Sequence, residues 1–510
     1  MAVGSFGAKF TGFGYPLSRR QFLSHSMRAV AGVGVGLSLL DFGCSGGSST
    51  SANARAWQEL AQRISGPVLR PGDPGFAALA MPNNLRYAAT LPAGIARCLS
   101  AQDVSQAILW ARQNDIPLVA RSGGHSYAGY STTNGLMIDL KLINQIQYDS
   151  GSGIVTIGGG VLNSALYQAL QPLGVAITHG RCPTVGAAGF LLGGGIGFNM
   201  RAHALGCDQL VATEIVTADG QILIPSPQED LFWACQGGGG GNFGINTSFS
   251  LQTFPVPSSL TVFSLSWSAR PDAVYAALLA ALQTAPTTLG SRVQLDAITP
   301  QEIAAGQDVT VRLLGQLVGT PGDLADILQP VYAVAEPTQS TINQMSYWDA
   351  QINFLATPGK PAEYQERSRF FVGPPSSAAI ATALQWARRW PGTSVGADLV
   401  LFQTGGQINI PAADATAFVH RDSDWLMTIA LSWSGADAPA TVEANLAWQS
   451  DFYQAMTPYA GGGAYQNFID PSLTDWAQEY YGSNLPRLQN IKAVVDPTLV
   501  FDFPEAITPA

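Results

Sequence analysis

The sequence predicts a mixed α+β fold of two or three domains, and three observations support this. Its 510 residues exceed what one hydrophobic core usually holds. Strand-like and helix-like stretches follow one another without regular alternation, which argues against a doubly wound sheet. The tripeptide Pro255-Val256-Pro257 marks a composition shift between a glycine-rich first part and a middle region.

The elements follow in chain order. Residues 48–54 are small and polar and are expected to be disordered. Ser100-Ala101-Gln102-Asp103 resembles a capping box, and Val104, Ala107, Ile108 and Ala111 continue at helical spacing. Residues 117–120 read as a buried strand that enters a glycine turn, and 136–140, 146–149 and 154–157 as three short strands. A helix over 164–173 and a strand over 175–178 come next. Residues 214–217 and 221–224 form a hairpin around Ala218-Asp219-Gly220. Beyond the proline pair, 260–267 alternates as a strand and 273–283 reads as a helix. Further strands are expected at 309–317 and 398–403, and a long helix at 442–456. No internal repeat is present.

Composition narrows the function. Hydrophobic residues make up 46% and charged residues only 12%, so a large core is available. The net charge is −10, and no run of Lys or Arg supplies the basic patch that nucleic-acid binding requires. The five cysteines form no C-x-x-C pair, which removes zinc-knuckle and thioredoxin-type readings. His179, His203 and Cys207 lie close in sequence but at spacings that match no zinc pattern, so no metal is expected.

Residues 1–54 read as an export signal. Ser18-Arg19-Arg20-Gln21-Phe22-Leu23 is a twin-arginine pattern, 29–40 is an apolar run, and Ala52-Asn53-Ala54 is a small-residue cleavage site. The apolar run is too short for a stable membrane anchor. An alternative, lipidation at Cys44, is poorly supported by the preceding Asp41-Phe42-Gly43. The twin-arginine machinery exports folded protein, which suits a chain that loads its cofactor before export.

Four glycine-rich turns carry the chemistry. They are Arg121-Ser122-Gly123-Gly124-His125-Ser126, Gly158-Gly159-Gly160, Gly193-Gly194-Gly195-Ile196-Gly197, and residues 237–241 ahead of Asn242-Phe243-Gly244. Glycines let backbone N–H groups converge on an anion, so several such turns could cradle a diphosphate. Gly239, Gly241 and Gly244 formally spell G-x-G-x-x-G, but the segment after Gly244 reads as a strand, whereas a Rossmann fingerprint opens a helix. Nicotinamide binding is therefore rejected.

His125 follows Gly123-Gly124, and Cys182 lies in Gly180-Arg181-Cys182-Pro183-Thr184-Val185-Gly186. Both are nucleophilic side chains in glycine-bearing loops. On spacing alone each could equally be a core residue.

In order and spacing residues 121–127, 180–186, 193–197 and 237–244 resemble the berberine bridge enzyme-like oxidases, of the vanillyl-alcohol oxidase (PCMH) type of FAD fold. Tyr480-Tyr481-Gly482-Ser483-Asn484-Leu485-Pro486-Arg487-Leu488, Asp496-Pro497 and Phe501 resemble the family's C-terminal segment. The resemblance spans roughly residues 80–255 and 445–505.

That resemblance implies an FAD domain over 55–255 completed by 445–510. It places a substrate domain with an antiparallel sheet flanked by helices over 256–444. It implies FAD bound covalently, with His125 on the flavin 8α-methyl group and Cys182 on C6. Around them it assigns cofactor contacts to Arg121, Ser122, Gly123, Gly124 and Ser126, and to Gly180, Pro183, Thr184, Val185, Gly186 and Gly189. Further contacts fall to Gly193, Gly194, Gly197, Gly244, Ile245, Asn467 and Asn484. Ala464-Tyr465-Gln466-Asn467 matches the stretch whose tyrosine is the base in carbohydrate-oxidising members, so Tyr465 is assigned as base and as a flavin contact. The alkaloid-cyclising member carries a glutamate where Gly405-Gly406-Gln407-Ile408-Asn409-Ile410 puts Ile410, so that chemistry is not expected and Gln407 and Asn409 are candidates to face the substrate. Phe190 stands where a hydrogen-bonding His or Tyr is common. Val185 leaves room for O2 where a Leu would crowd the flavin.

The leading expectation is an exported oxidase that converts an alcohol or hemiacetal of a sugar or related polyhydroxylated small molecule, reducing O2 to H2O2. The alternatives are a tailoring oxidase of a secondary metabolite, a dehydrogenase with a non-oxygen acceptor, and a secreted binding protein that has kept the fold.

Overall fold

The computed structural model describes residues 47–510, and the twin-arginine pattern, the apolar run and Cys44 lie outside the described residues. The first described helix, Gly47–Arg63, takes in the stretch 48–54 that was expected to be disordered, and the small-residue cleavage site falls inside it. Its anchors are Trp57 and Leu60, both buried. A helix pinned there propagates backward, because each added residue gains a backbone bond once the nucleus exists.

Three sheets of four or more strands, with one two-stranded pair beside them, organise the described residues. The first has four short strands in the order Val68–Leu69, Gly94–Arg97, Leu136–Asp139, Leu118–Arg121, and the last three are parallel. Helix Ala101–Gln113 covers it, with Val104, Ala107, Ile108 and Ala111 buried at the spacing the sequence shows. Ser100 caps this helix, accepting from the Asp103 N–H (3.2 Å). Asp103 does not close the expected box. Its carboxylate instead accepts from the N–H groups of Ser65 (2.8 Å), Gly66 (3.2 Å) and Leu99 (2.9 Å) and ties the first strand's loop to the helix start.

The second sheet is five-stranded and antiparallel, in the order Ile146–Asp149, Ile154–Gly158, Ile245–Gln252, Leu210–Val216, Ile222–Leu223. Ile245–Gln252 is the strand that follows Gly244, as the rejection of a Rossmann site requires. The expected strand at 175–178 shrinks to Val175–Ala176, which pairs with Phe254–Pro255.

The third sheet has seven antiparallel strands, in the order Gln339–Met345, Leu260–Trp267, Thr310–Leu317, Leu289–Asp296, Gly396–Gln403, Trp425–Trp433, Glu363–Phe371. Its side chains alternate faces. Val293, Leu399, Met427 and Ile429 point to one core, shared with helices Pro271–Gln283, Pro321–Tyr332, Ser377–Ala387 and Pro439–Ala460. The last helix contributes Trp448, Phe452, Tyr453 and Met456 to that core, so the expected domain boundary at 445 falls inside a helix of the middle region. Burial of Phe452 alone contributes about 2 kcal/mol.

The C-terminal segment returns to the first part of the chain. Lys492, fully buried, donates to Asp496 (2.7 Å) and to the carbonyls of Asn242 (2.7 Å) and Phe501 (2.9 Å). Asn242 Oδ1 in turn accepts from the Ile507 N–H (3.0 Å). The tail is thereby fastened to the glycine loop 237–244. A buried Arg367–Asp470 pair (2.6 Å) joins the same segment to the third sheet.

Candidate active site

One long cavity of about 580 Å³ runs between the glycine turns and the third sheet. That is within the range of small-molecule and cofactor sites. Its first wall is built by backbone approach. The loop after strand Leu118–Arg121 meets the loop 180–186 so closely that a methyl on Gly123 would lie 2.2 Å from the Gly186 nitrogen. A methyl on Gly186 would lie 2.2 Å from Ser122 Oγ. Only glycine satisfies both sides of this contact. The Ser122 hydroxyl donates to the Gly159 carbonyl (2.7 Å), which fixes the pair to the next turn.

This contact brings His125 and Cys182 together. His125 Nε2 is 2.9 Å from Thr184 Oγ1, and Cys182 Sγ is 3.3 Å from the same oxygen. Two nucleophilic atoms thus share one hydroxyl at the cavity wall. Burial, with a smaller push from Lys141, lowers His125 to about 4. Its imidazole is therefore neutral near pH 7 and keeps a nucleophilic lone pair.

Tyr465 closes the wall. It is 1% exposed and lines the cavity. Its N–H donates to Ser368 Oγ (3.0 Å), and its ring meets Phe468 edge-on at 5.1 Å. Its oxygen accepts from the Gly195 N–H (2.9 Å) and from Asn467 Nδ2 (3.1 Å). Burial raises the phenol well above the ordinary tyrosine range, and these two donors pull the other way because they favour the phenolate.

Of the remaining expected contacts, Ser122, Gly123, Gly124 and Ser126 line the cavity, and so do Gly180, Val185, Gly186 and Gly189. Gly197, Gly244, Ile245 and Asn467 line it as well. Eight expected site residues do not. Arg121 is buried and donates to the carbonyls of Leu79 (2.7 Å), Ala80 (3.0 Å), Met81 (3.2 Å) and Ser131 (2.7 Å), so it holds the loops together from behind. Asn484 donates to the carbonyls of Ala413 (2.8 Å) and Thr416 (3.1 Å) and acts as a loop clamp. Pro183 accepts from the Ser164 N–H (2.9 Å) at a helix start, and Thr184 serves the two nucleophiles rather than the cavity surface. Gly193 makes room for Asn467, whose Oδ1 would be 2.1 Å from a methyl there. Gly194, at φ +121°, packs under the rings of Phe418 and Tyr465. Gln407 is exposed and Asn409 donates to the Ser423 carbonyl (3.0 Å); their short helix, Gly406–Asn409, packs on Met200–His203, and neither residue lines the cavity. The turn 158–160 lines nothing either, since a methyl on Gly160 would lie 1.8 Å from the Leu140 carbonyl. That turn is glycine-rich for backbone packing.

The second wall was missed in the sequence. It is the polar face of the third sheet, with Arg292, Tyr364, Glu366, Phe402, Ala430 and Ser432 at the cavity. Tyr127, two residues after His125, donates to the Glu366 carboxyl. The only signal for this wall in its last strand was a charge among strand-forming residues, at Glu366.

Whether the residues fit FAD rests on the first wall. Gly239, Gly240, Gly241 and Gly244 border the cavity with no side chain to block approach, and Gly239 and Gly241 have φ of +87° and +81°. Glycine backbone converging on a cavity suits a diphosphate, and the nucleophile pair sits beside the same cavity. The residues fit the cofactor. The comparisons agree. Residues 92–224 match the FAD binding domain family, and residues 464–508 match the family described as Berberine and berberine like. The chain is 31% identical to the FAD-linked oxidoreductase YgaK of Bacillus subtilis over 88% of its own length and 98% of that protein. It is 31% identical to a carbohydrate oxidase of Microdochium nivale, over 87% of this chain and 93% of that one. The structure of Physcomitrella patens BBE-like 1 superposes with a TM-score of 0.80 at 25% identity, covering 89% of this chain and 99% of the other. The fold and site define an FAD-dependent oxidase. The chain belongs to the berberine bridge enzyme-like family of FAD-linked oxidoreductases.

Proposed function

We propose that the chain is an exported oxidase that holds FAD through two covalent bonds, to His125 and Cys182, and oxidises a sugar hemiacetal or alcohol. The observation that carries this reading is the convergence of His125 Nε2 and Cys182 Sγ on Thr184 Oγ1, in the cavity that Tyr465 also lines. FAD, when bound, supplies the hydride acceptor and returns two electrons to O2, which with two protons becomes H2O2. Tyr465, as the phenolate that the Gly195 N–H and Asn467 Nδ2–H favour, receives the proton of the substrate hydroxyl and becomes the neutral phenol. Val185, at the cavity wall, is small enough to leave O2 a path. The likeness to a carbohydrate oxidase supports the sugar class. Export rests on the twin-arginine pattern and the apolar run of the sequence.

The test is peroxide release by the purified holoenzyme with a panel of neutral mono- and oligosaccharides. Peroxide formed in step with sugar consumed is expected. Bleaching of the flavin by sugar without peroxide would make the enzyme a dehydrogenase. No bleaching by any sugar would remove the substrate class.

A further inference from the structure

The second wall holds a charge constellation that the oxidation itself does not use. Strand register sets it out. Glu366 lies opposite Ala430, Ala430 opposite Asp398, and Asp398 opposite Asp296. On this face the small Ala430 lies between the two carboxyls, and Glu366, Ala430 and Arg292 line the cavity. Glu366 and Asp398 are both half-buried. Arg292 donates from Nη2 to Gln294 (2.5 Å), while its Nε is buried with no partner. Gln294 donates on to Asp296 (2.7 Å) and Asp398 (3.3 Å), and Arg312 pairs with Asp296 (2.6 Å).

We propose that Glu366 determines substrate specificity: with Asp398 across Ala430 it accepts hydroxyl protons of one neutral sugar ring, while the Arg292 Nε–H donates to an oxygen of that ring. This rests on the carbohydrate reading above. A neutral ligand suits this wall, because the guanidiniums of Arg292 and Arg312 and the carboxyls of Asp296, Glu366 and Asp398 are interspersed on it and neither sign forms a separate patch.

Proton linkage gives the proposal a signature. Burial raises Glu366 to about 7, with Asp398 pushing the same way and Thr428, Tyr127 and Arg292 opposing. Burial raises Asp398 to about 6, opposed by Arg292 and Arg312 and reinforced by Asp296. Tyr364, on the same strand as Glu366, also faces it. Hydroxyl donors favour the ionised carboxyl, so a bound sugar lowers both values and binding releases protons. Affinity therefore rises with pH through the window from about 6 to about 7. A pKa lowered by one unit on binding corresponds to about a tenfold gain in affinity across that window.

The test uses the holoenzyme and two probes. Methyl β-cellobioside has its anomeric hydroxyl blocked and reports binding by calorimetry in two buffers of different ionisation heat. Cellobiose reports turnover. The wild type is expected to release protons on binding the glycoside near pH 6.5 and to bind about tenfold tighter above pH 7.5 than below pH 5.5. Glu366→Gln is expected to lose most of the proton release, and Glu366→Leu to weaken binding about tenfold further, which appears in KM more than in kcat. Flavin content and circular dichroism show whether each variant is folded. Glycoside binding without cellobiose oxidation would break the oxidase reading and leave the recognition intact. Cellobiose oxidation with the same KM and proton release in all three proteins would overturn the recognition and leave the oxidase. Neither binding nor oxidation by the wild type overturns both.

Discussion

The two walls of the cavity are made by different physics. The glycine wall is set by backbone: its turns approach one another and the cavity where no Cβ intervenes, as at Gly123 against Gly186. The sheet wall is set by side chains: Glu366, Ala430 and Asp398 are brought together by the pairing register of their strands. A wall built by backbone approach tolerates almost no change of residue type. A wall set by register can exchange side chains without disturbing the backbone, and so can change what is recognised.

Substitutions on the two walls are therefore expected to fail in different ways. Gly123→Ala puts a methyl against backbone of both loops, 2.2 Å from the Gly186 nitrogen and 2.8 Å from the Thr184 carbonyl. Protein that folds with most of its flavin missing is the expected result, read as the ratio of absorbance at the flavin band to that at the protein band. A Gly123→Ala enzyme with full flavin would mean the first wall is not built by close approach. Tyr465→Phe, where the two walls meet, keeps the ring packing and removes the proton acceptor. A fall in kcat of about 10²–10⁴ is expected with flavin content intact, and steady-state kinetics decide it. On the sheet wall, Ala430→Leu puts a large side chain at the cavity between Glu366 and Asp398. KM for a neutral disaccharide is expected to rise about tenfold, on the order of 1.4 kcal/mol, with flavin content unchanged. An equal loss of flavin there would erase the distinction between the walls. The smallest effect is expected from Val185→Leu, which should slow reoxidation by O2 severalfold in stopped-flow while the reductive half-reaction holds.

The same contrast explains what the sequence disclosed. His125, Cys182 and Tyr465 were legible because each sits in a motif short enough to be read in one glance along the chain, and all three line one cavity. The strand 260–267 was legible from period-two alternation, and the segment after Gly244 also read as a strand. Motif membership overreached for Arg121 and Asn484, whose polar groups are spent on loop carbonyls behind the cavity. Position by analogy failed for Gln407 and Asn409, because the short helix that carries them turns toward Met200–His203. Glycine richness alone did not separate the turn 158–160, which packs backbone on backbone, from the turns that face the cavity. Glu366 was invisible because no local pattern states which residue lies across the sheet from it. The boundary at 445 failed for a related reason: the apolar face of Pro439–Ala460 does not reveal which sheet it covers.

The central claim is that His125 and Cys182 each carry one bond to the same flavin. The direct measurement is acid precipitation of the purified protein followed by mass spectrometry of the peptides that contain the two residues. A yellow precipitate with both peptides cross-linked through one FAD is the predicted result. Colourless precipitate with all flavin released to the supernatant would contradict it.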